Sequence, residues 1–271
     1  TDPNTEGCNL EAAVVSVHDA TDREGCVAVG SYGTNDTILI PASIAQVFDE
    51  PANRLGNPEN AVRVIEKSLV IKGTGGTATI SRSAASSYNF RFFEIDKSAG
   101  TPLVQFKNIR FEGGFASGRG GAIYSDESDI EISNCEFFQN QTINSSDGGA
   151  VYTRLGSIAI SRTKFEANAV NFDVGNIGPS GGALGLFATN VSISESHFID
   201  NSGNNDDSLF STGSGGAIDV SGTPATKALV SISRSAFQGN LASGVGSGTG
   251  AAIVLAGNTD LTVLDSTFAN N

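Results

Sequence analysis

The chain has 271 residues, enough for a sizeable core, and its 29 acidic against 16 basic side chains give a formal net charge of −13. A phosphate-binding face needs clustered Lys and Arg, so this balance argues against nucleic acid and against anionic membrane surfaces as partners. With 33 Gly, no Met or Trp and 16 Phe among the aromatic residues, the composition is that of turn-rich strands, and no apolar run approaches the length that spans a membrane.

Residues 1–36 are polar and carry no repeat, and Cys8 and Cys26 bracket a short segment in which they could form a disulfide. Apolar residues at helical spacing over residues 12–19 predict a short helix, placed as a cap over the open end of a strand-rich body. The words Val62-Arg63-Val64-Ile65, Leu69-Val70-Ile71, Ala78-Thr79-Ile80, Phe92-Phe93-Glu94-Ile95 and Val104-Gln105-Phe106 then alternate strand with turn. Residues 1–60 are therefore assigned to the cap and first strand, and residues 61–271 to one repetitive domain.

From Gly120 onward a repeat governs the chain. Gly120-Gly121-Ala122-Ile123 is followed by Phe137 and Asn140, and the pattern returns from Gly148, Gly181, Gly215 and Gly250 at intervals of 28 to 35 residues. A period of this size marks a solenoid in which each coil buries its apolar face only against its neighbours. Ile123, Val151, Leu184, Ile218 and Ile253 form one inward column. The pairs Ile130/Ile132, Ile158/Ile160, Val191/Ile193, Val230/Ile232 and Leu261/Val263 form two more, with Glu131, Ala159, Ser192, Ser231 and Thr262 between them facing water.

Phe137, Phe165, Phe198, Phe237 and Phe268 predict a stacked aromatic column, extended backwards by Phe111. Cys135 lies in a column of small or modest side chains and reads as a core residue rather than a reactive thiol. Asn140, Asn168, Asn201, Asn240 and Asn271 close the coils, where stacked side-chain amides can pass hydrogen bonds from one coil to the next. Asn140 also begins an Asn-Gln-Thr glycosylation word, which its place in a buried ladder makes accidental.

These words carry two resemblances. Cys8, Leu10, Glu11 and Ala12, with Asp36-Thr37-Ile38 further on, resemble the N-terminal cap of secreted β-helix proteins with the CSLREA motif, although Asn9 replaces Ser and the Arg is missing. The Gly-Gly-Ala-Ile and Phe-x-x-Asn words resemble the repeats of polymorphic outer-membrane proteins, which are surface adhesins and autotransporter passengers. The resemblance implies a right-handed, single-stranded parallel β-helix, here of about seven coils, in an extracellular or cell-surface setting, and specifies no activity.

Variable segments lie between each Asn and the next glycine motif, at 141–147, 169–180, 202–214 and 241–249, and predict a recognition edge. Phe172, Asp206, Asp207, Leu209 and Phe210 are the candidate ligand-binding residues there, and Asp206 and Asp207 carry the oxygen ligands that calcium prefers. No other cofactor is implied. Enzymes of this architecture that act on polysaccharides place carboxylates on neighbouring coils of one outward wall. The outward Asp219 has Gly185 as its neighbour on the preceding coil, and His18 and His197 are far apart in sequence.

The chain begins without Met or a signal peptide and stops on a ladder Asn with no cap after it, which predicts a fragment of a longer protein or an end covered by another subunit. The sequence therefore favours a secreted or surface-displayed structural or adhesive module. It would bind a surface glycan or protein through the variable edge, or self-associate end to end. A polysaccharide lyase or glycoside hydrolase is the alternative.

Overall fold

A computed structural model describes residues 7–52, 60–97, 100–143, 147–171, 181–203, 215–242 and 250–271. The chain is an all-β parallel solenoid of about 6 turns with one short helix near its start. Two walls run through eight strands each and a third through six.

The first wall begins with β1 (Asp36–Pro41), continues through Leu69–Thr74 and Leu103–Lys107, and ends with Thr259–Leu264. The second runs from Gln46–Phe48 to Thr267–Ala269, and the third from Phe93–Asp96 to Ile253–Ala256. Every pairing within the walls is parallel and in register, so Ile130 lies beside Ile158, Ile158 beside Val191 and Val191 beside Val230. Ile130, Ile158, Val191 and Val230 are buried, whereas Ala159, Ser192 and Ser231 between the inward pairs are exposed, as period-two alternation requires.

Parallel register places each Phe directly on the next. Ring centroids from Phe111 through Phe137, Phe165, Phe198, Phe237 and Phe268 are 4.6 to 4.8 Å apart, and the rings from Phe137 onward are within 6° of parallel. That spacing is the distance between strands, so the backbone ladder, not the rings, sets it.

The Asn column solves the problem of turning a buried corner. Asn168 Oδ1 accepts both the backbone N–H (3.0 Å) and the Nδ2 (3.0 Å) of Asn140, while its own Nδ2 donates to Phe137 O at 2.9 Å and to Asn201 Oδ1 at 2.9 Å. The same pattern continues through Asn201, Asn240 and Asn271. Just before each ladder Asn the backbone takes a left-handed residue, at Gln139, Ala167, Asp200, Gly239 and Asn270. Most carry a side chain in a conformation that disfavours one, and the bonds on either side hold them there.

The variable segments open differently from a plain loop. Phe115–Ala116, Gln141–Ile143 and Ala169–Asn171 pair as a short fourth sheet, because the corner Asn launches the chain in register with its neighbour. Three residues are too few to show a period in the sequence.

At the first end, α1 (Leu10–Asp19) has Asn9 as its N-cap, whose side chain accepts from Ala12 N at 2.8 Å. Its Leu10, Val14 and Val17 join the core. Cys8 and Cys26 are disulfide-bonded beside it, and Cys135 is a buried free thiol that burial pushes up to about 12, leaving it protonated and inert. Among the described residues no helix is long and apolar enough to cross a membrane.

Replacing Asn168 with Ala removes the acceptor of the Asn140 backbone N–H, one of the two acceptors of Asn140 Nδ2, and the side-chain donor to the carbonyl of Phe137, all in a buried corner. The expected cost is about 2–4 kcal/mol in urea unfolding, against about 0.5 kcal/mol or less for the exposed Ser192→Ala. Equal costs for the two substitutions would remove the ladder from the account of stability.

Candidate functional site

On the outward face of the third wall, parallel register puts Glu94, Tyr124, Tyr152, Gly185, Asp219 and Val254 in one column. The side chains before the first two glycine motifs, Arg119 and Asp147, reach this column from the turn. Gly120 and Gly148 both have positive φ, and a Cβ at either would lie 2.1 to 2.2 Å from a backbone carbonyl oxygen of the following strand. Only glycine allows the chain to turn so tightly, and that tightness swings Arg119 and Asp147 over the wall.

Arg119 holds its guanidinium 4.8 Å from the centroid of the Tyr152 ring, and its Nε donates to Asp147 Oδ2 at 3.2 Å. Asp147 in turn occupies the room left by Gly185. A Cβ at position 185 would come within 2.7 Å of the Asp147 Cβ. Asp219 follows one strand further along, with its Oδ1 accepting from Ser221 Oγ at 3.3 Å.

The column is closed at its other end by Arg91, which is 1% exposed and donates to Glu94 Oε2 at 3.0 Å and to Asn60 Oδ1 at 3.4 Å. Its guanidinium lies 5.0 Å from the Tyr124 centroid, and Tyr124 stacks on Tyr152 at 5.7 Å with an interplanar angle of 11°. Cation, ring, ring, cation and carboxylate therefore succeed one another along the solenoid axis. Beside them Asp126 accepts from Arg154 Nε (2.8 Å) and Nη2 (2.5 Å).

Burial dominates the electrostatics. Asp147 is 7% exposed, and loss of hydration pushes its carboxyl up to about 7. The Arg119 charge pulls it back, and the neighbouring Asp219 pushes in the same direction as burial. Burial also raises the Tyr152 and Tyr124 phenols. The arrangement can keep a proton on Asp147 near neutrality beside a second carboxyl group, with Arg119 half-exposed to offer donors outward.

Phe172, Asp206, Asp207, Leu209 and Phe210 lie outside the described residues, and with them the calcium candidates. Among the described residues no group of three or more His, Cys, Asp or Glu could hold a metal ion. His18 pairs with Glu66 at 2.6 Å on the cap, and His197 is an exposed position of the second wall. Asp219 does have a carboxyl neighbour. It is Asp147, which comes from a turn and not from the Gly185 position, so a comparison of aligned positions does not find it. The signals that could find the site are the Tyr directly after Gly-Gly-Ala-Ile and Gly-Gly-Ala-Val, and the charged residue directly before each of those two motifs.

No family model, curated protein or solved structure matches the chain. What stands in place of a family is the architecture itself, a parallel β-solenoid with an outward polar and aromatic column.

The unfolded carboxyl of Asp147 starts from 3.8 and the folded one lies at about 7, so between these values the folded state holds a proton that the unfolded state has lost. Its contribution to stability therefore falls as pH rises from about 4 to 7, by about 1–4 kcal/mol. Asp147→Asn should gain on the parent protein at pH 8 and not at pH 4, measured as urea midpoints. A constant difference at the two values would mean that Asp147 titrates normally.

Proposed function

We propose that the chain is a secreted or cell-surface binding module whose recognition surface is the outward column of the third wall together with the turn edge beside it. The observation that carries this reading is the half-exposed Arg119 and the partly exposed Tyr124, held on consecutive coils by the buried Arg91, Tyr152 and Asp147. Rings and charged donors held on a rigid scaffold suit a polar ligand with flat apolar faces, and a surface glycan has that chemistry. The disulfide Cys8–Cys26 and the net charge of −13 support an extracellular setting. So does the resemblance of the cap to CSLREA-type proteins and of the repeats to polymorphic outer-membrane proteins.

A glycan array followed by calorimetry on the strongest ligand tests the reading. Arg119→Ala and Tyr124→Ala should each weaken binding by about tenfold or more, equivalent to about 1.4 kcal/mol, while Ser192→Ala on the first wall leaves it unchanged. Binding that ignores both column substitutions would place recognition elsewhere, and an empty array would remove the glycan.

A polysaccharide-active enzyme is the second reading, favoured by the coupling of Asp147 to Asp219 from a different coil, the pattern of an acid and base pair. It requires release of reducing ends from a polysaccharide and its loss in Asp219→Asn. End-on packing is a further mode of partnership. Leu261, Val263 and Phe268 are exposed at positions that are buried in the four preceding coils.

A further inference from the structure

The capped end contains an open cavity of about 640 Å³, within the range of ligand pockets, bordered by α1, the disulfide-linked segment and β1. Its shape is informative. Residues 35–41 line it in unbroken succession. A cavity lying on one face of a strand touches every second residue, because side chains alternate. Contact with every residue in turn means that the cavity runs along the edge of β1, in the plane of the sheet.

That edge is open. β1 is the first strand of its wall and pairs with Leu69–Thr74 on one side, while its other side faces the cavity. Such an edge presents a row of backbone donors and acceptors to whatever lies next to it. The six residues of β1 extend about 20 Å at about 3.3 Å each, long enough for an extended hexapeptide.

The opposite wall is preformed. The bond between Cys8 and Cys26 anchors residues 26–32, and Asp22 Oδ1 accepts from Ala28 N at 3.0 Å and from the Tyr32 hydroxyl at 2.7 Å. These contacts hold Val27 and Val29 outward, 77% and 107% exposed. On β1 itself Leu39 is 59% exposed, in a column whose next two members are Lys72 and Lys107. An apolar side chain has replaced a charged one on the strand that borders the cavity. Leu10, Ala13 and Val17 of α1 supply the apolar floor.

We propose that this cavity binds an extended polypeptide segment of a partner protein, which adds to the open edge of β1 as a further strand of the first wall. Backbone hydrogen bonds to β1 provide the register, and apolar side chains at alternate positions lie against Leu10, Ala13 and Val17. Asp36, which lines the cavity, and Asp22, which bonds the lining residue Tyr32, favour a segment that is basic or neutral at its ends. The site shares no residue with the outward column of the third wall, so either proposal can fail alone.

The test uses a fluorescent peptide with the sequence LVIKGT, that of the strand already paired with β1, extended by lysines for solubility. Fluorescence anisotropy on the full chain should show saturable binding. A peptide N-methylated at alternate amides should bind at least about tenfold more weakly, since it has lost its edge hydrogen bonds. Val29→Asp, at a fully exposed position, should weaken binding without changing the thermal melt, and Ser192→Asp on the exposed face of the first wall should not. Absence of saturable binding overturns the proposal. So does equal affinity for the N-methylated peptide, and so does an apolar dye that fills the cavity while the peptide is refused.

Discussion

Everything in this molecule depends on parallel strands stacking in register at the backbone spacing. Once that spacing repeats, each side chain meets its own counterpart one coil away, and only residues that tolerate their own kind can fill a column. Phe stacks face to face at 4.7 Å or so, and Ile and Val nest on each other. Asn is the unusual member. It carries an acceptor and donors on one short side chain, so a single residue type can satisfy the turn of the preceding coil and link to the next. A buried corner would otherwise leave backbone groups unpaired at about 1–3 kcal/mol each.

The corners also explain where chemistry gathers. The outward faces of the first two walls are built mainly from ordinary solvated residues in register, and their charges mostly pair along the strand or across to the next coil, as Lys164 does with Glu166 and Glu136. Near the glycine turns the repetition relaxes. Gly148 lets the chain approach the wall closely, Gly185 leaves a space one coil on, and Asp147 fills it. A missing side chain in one column and a charged one in the adjoining turn together create a buried carboxyl group beside the buried Asp219 that the wall itself supplies.

Most of the fold is legible in the sequence for the same reason that it is stable. Like stacks on like, so Gly-Gly-Ala-Ile and Phe-x-x-Asn recur as words, and the alternation around Ile130 and Ile132 gives the orientation of each strand. The site is less legible. Tyr124 and Tyr152 form a pair only because register aligns them, and Arg119 meets Tyr152 from a different coil. Asp147 and Gly185 are neighbours through a turn whose reach depends on backbone torsions that no residue pattern states. Gln141–Ile143 reads as loop in the sequence because pairing partners, not its own composition, make it a strand. Treating the variable segments as the recognition edge favours Phe172 and Asp206, which lie outside the described residues.

The most direct test of the central claim is amide hydrogen exchange at the ladder. The backbone N–H groups of Asn140, Asn168 and Asn201 each donate to the side-chain oxygen of the Asn one coil further on, at 3.0 to 3.1 Å. If the ladder fixes the register, these corner amides exchange only when the whole solenoid unfolds, as slowly as the amides of Phe137 and Phe165 within the strands. Corner amides that exchange orders of magnitude faster than the strands would show that the turns open independently, and that the wall hydrogen bonds hold the coils together without the asparagines.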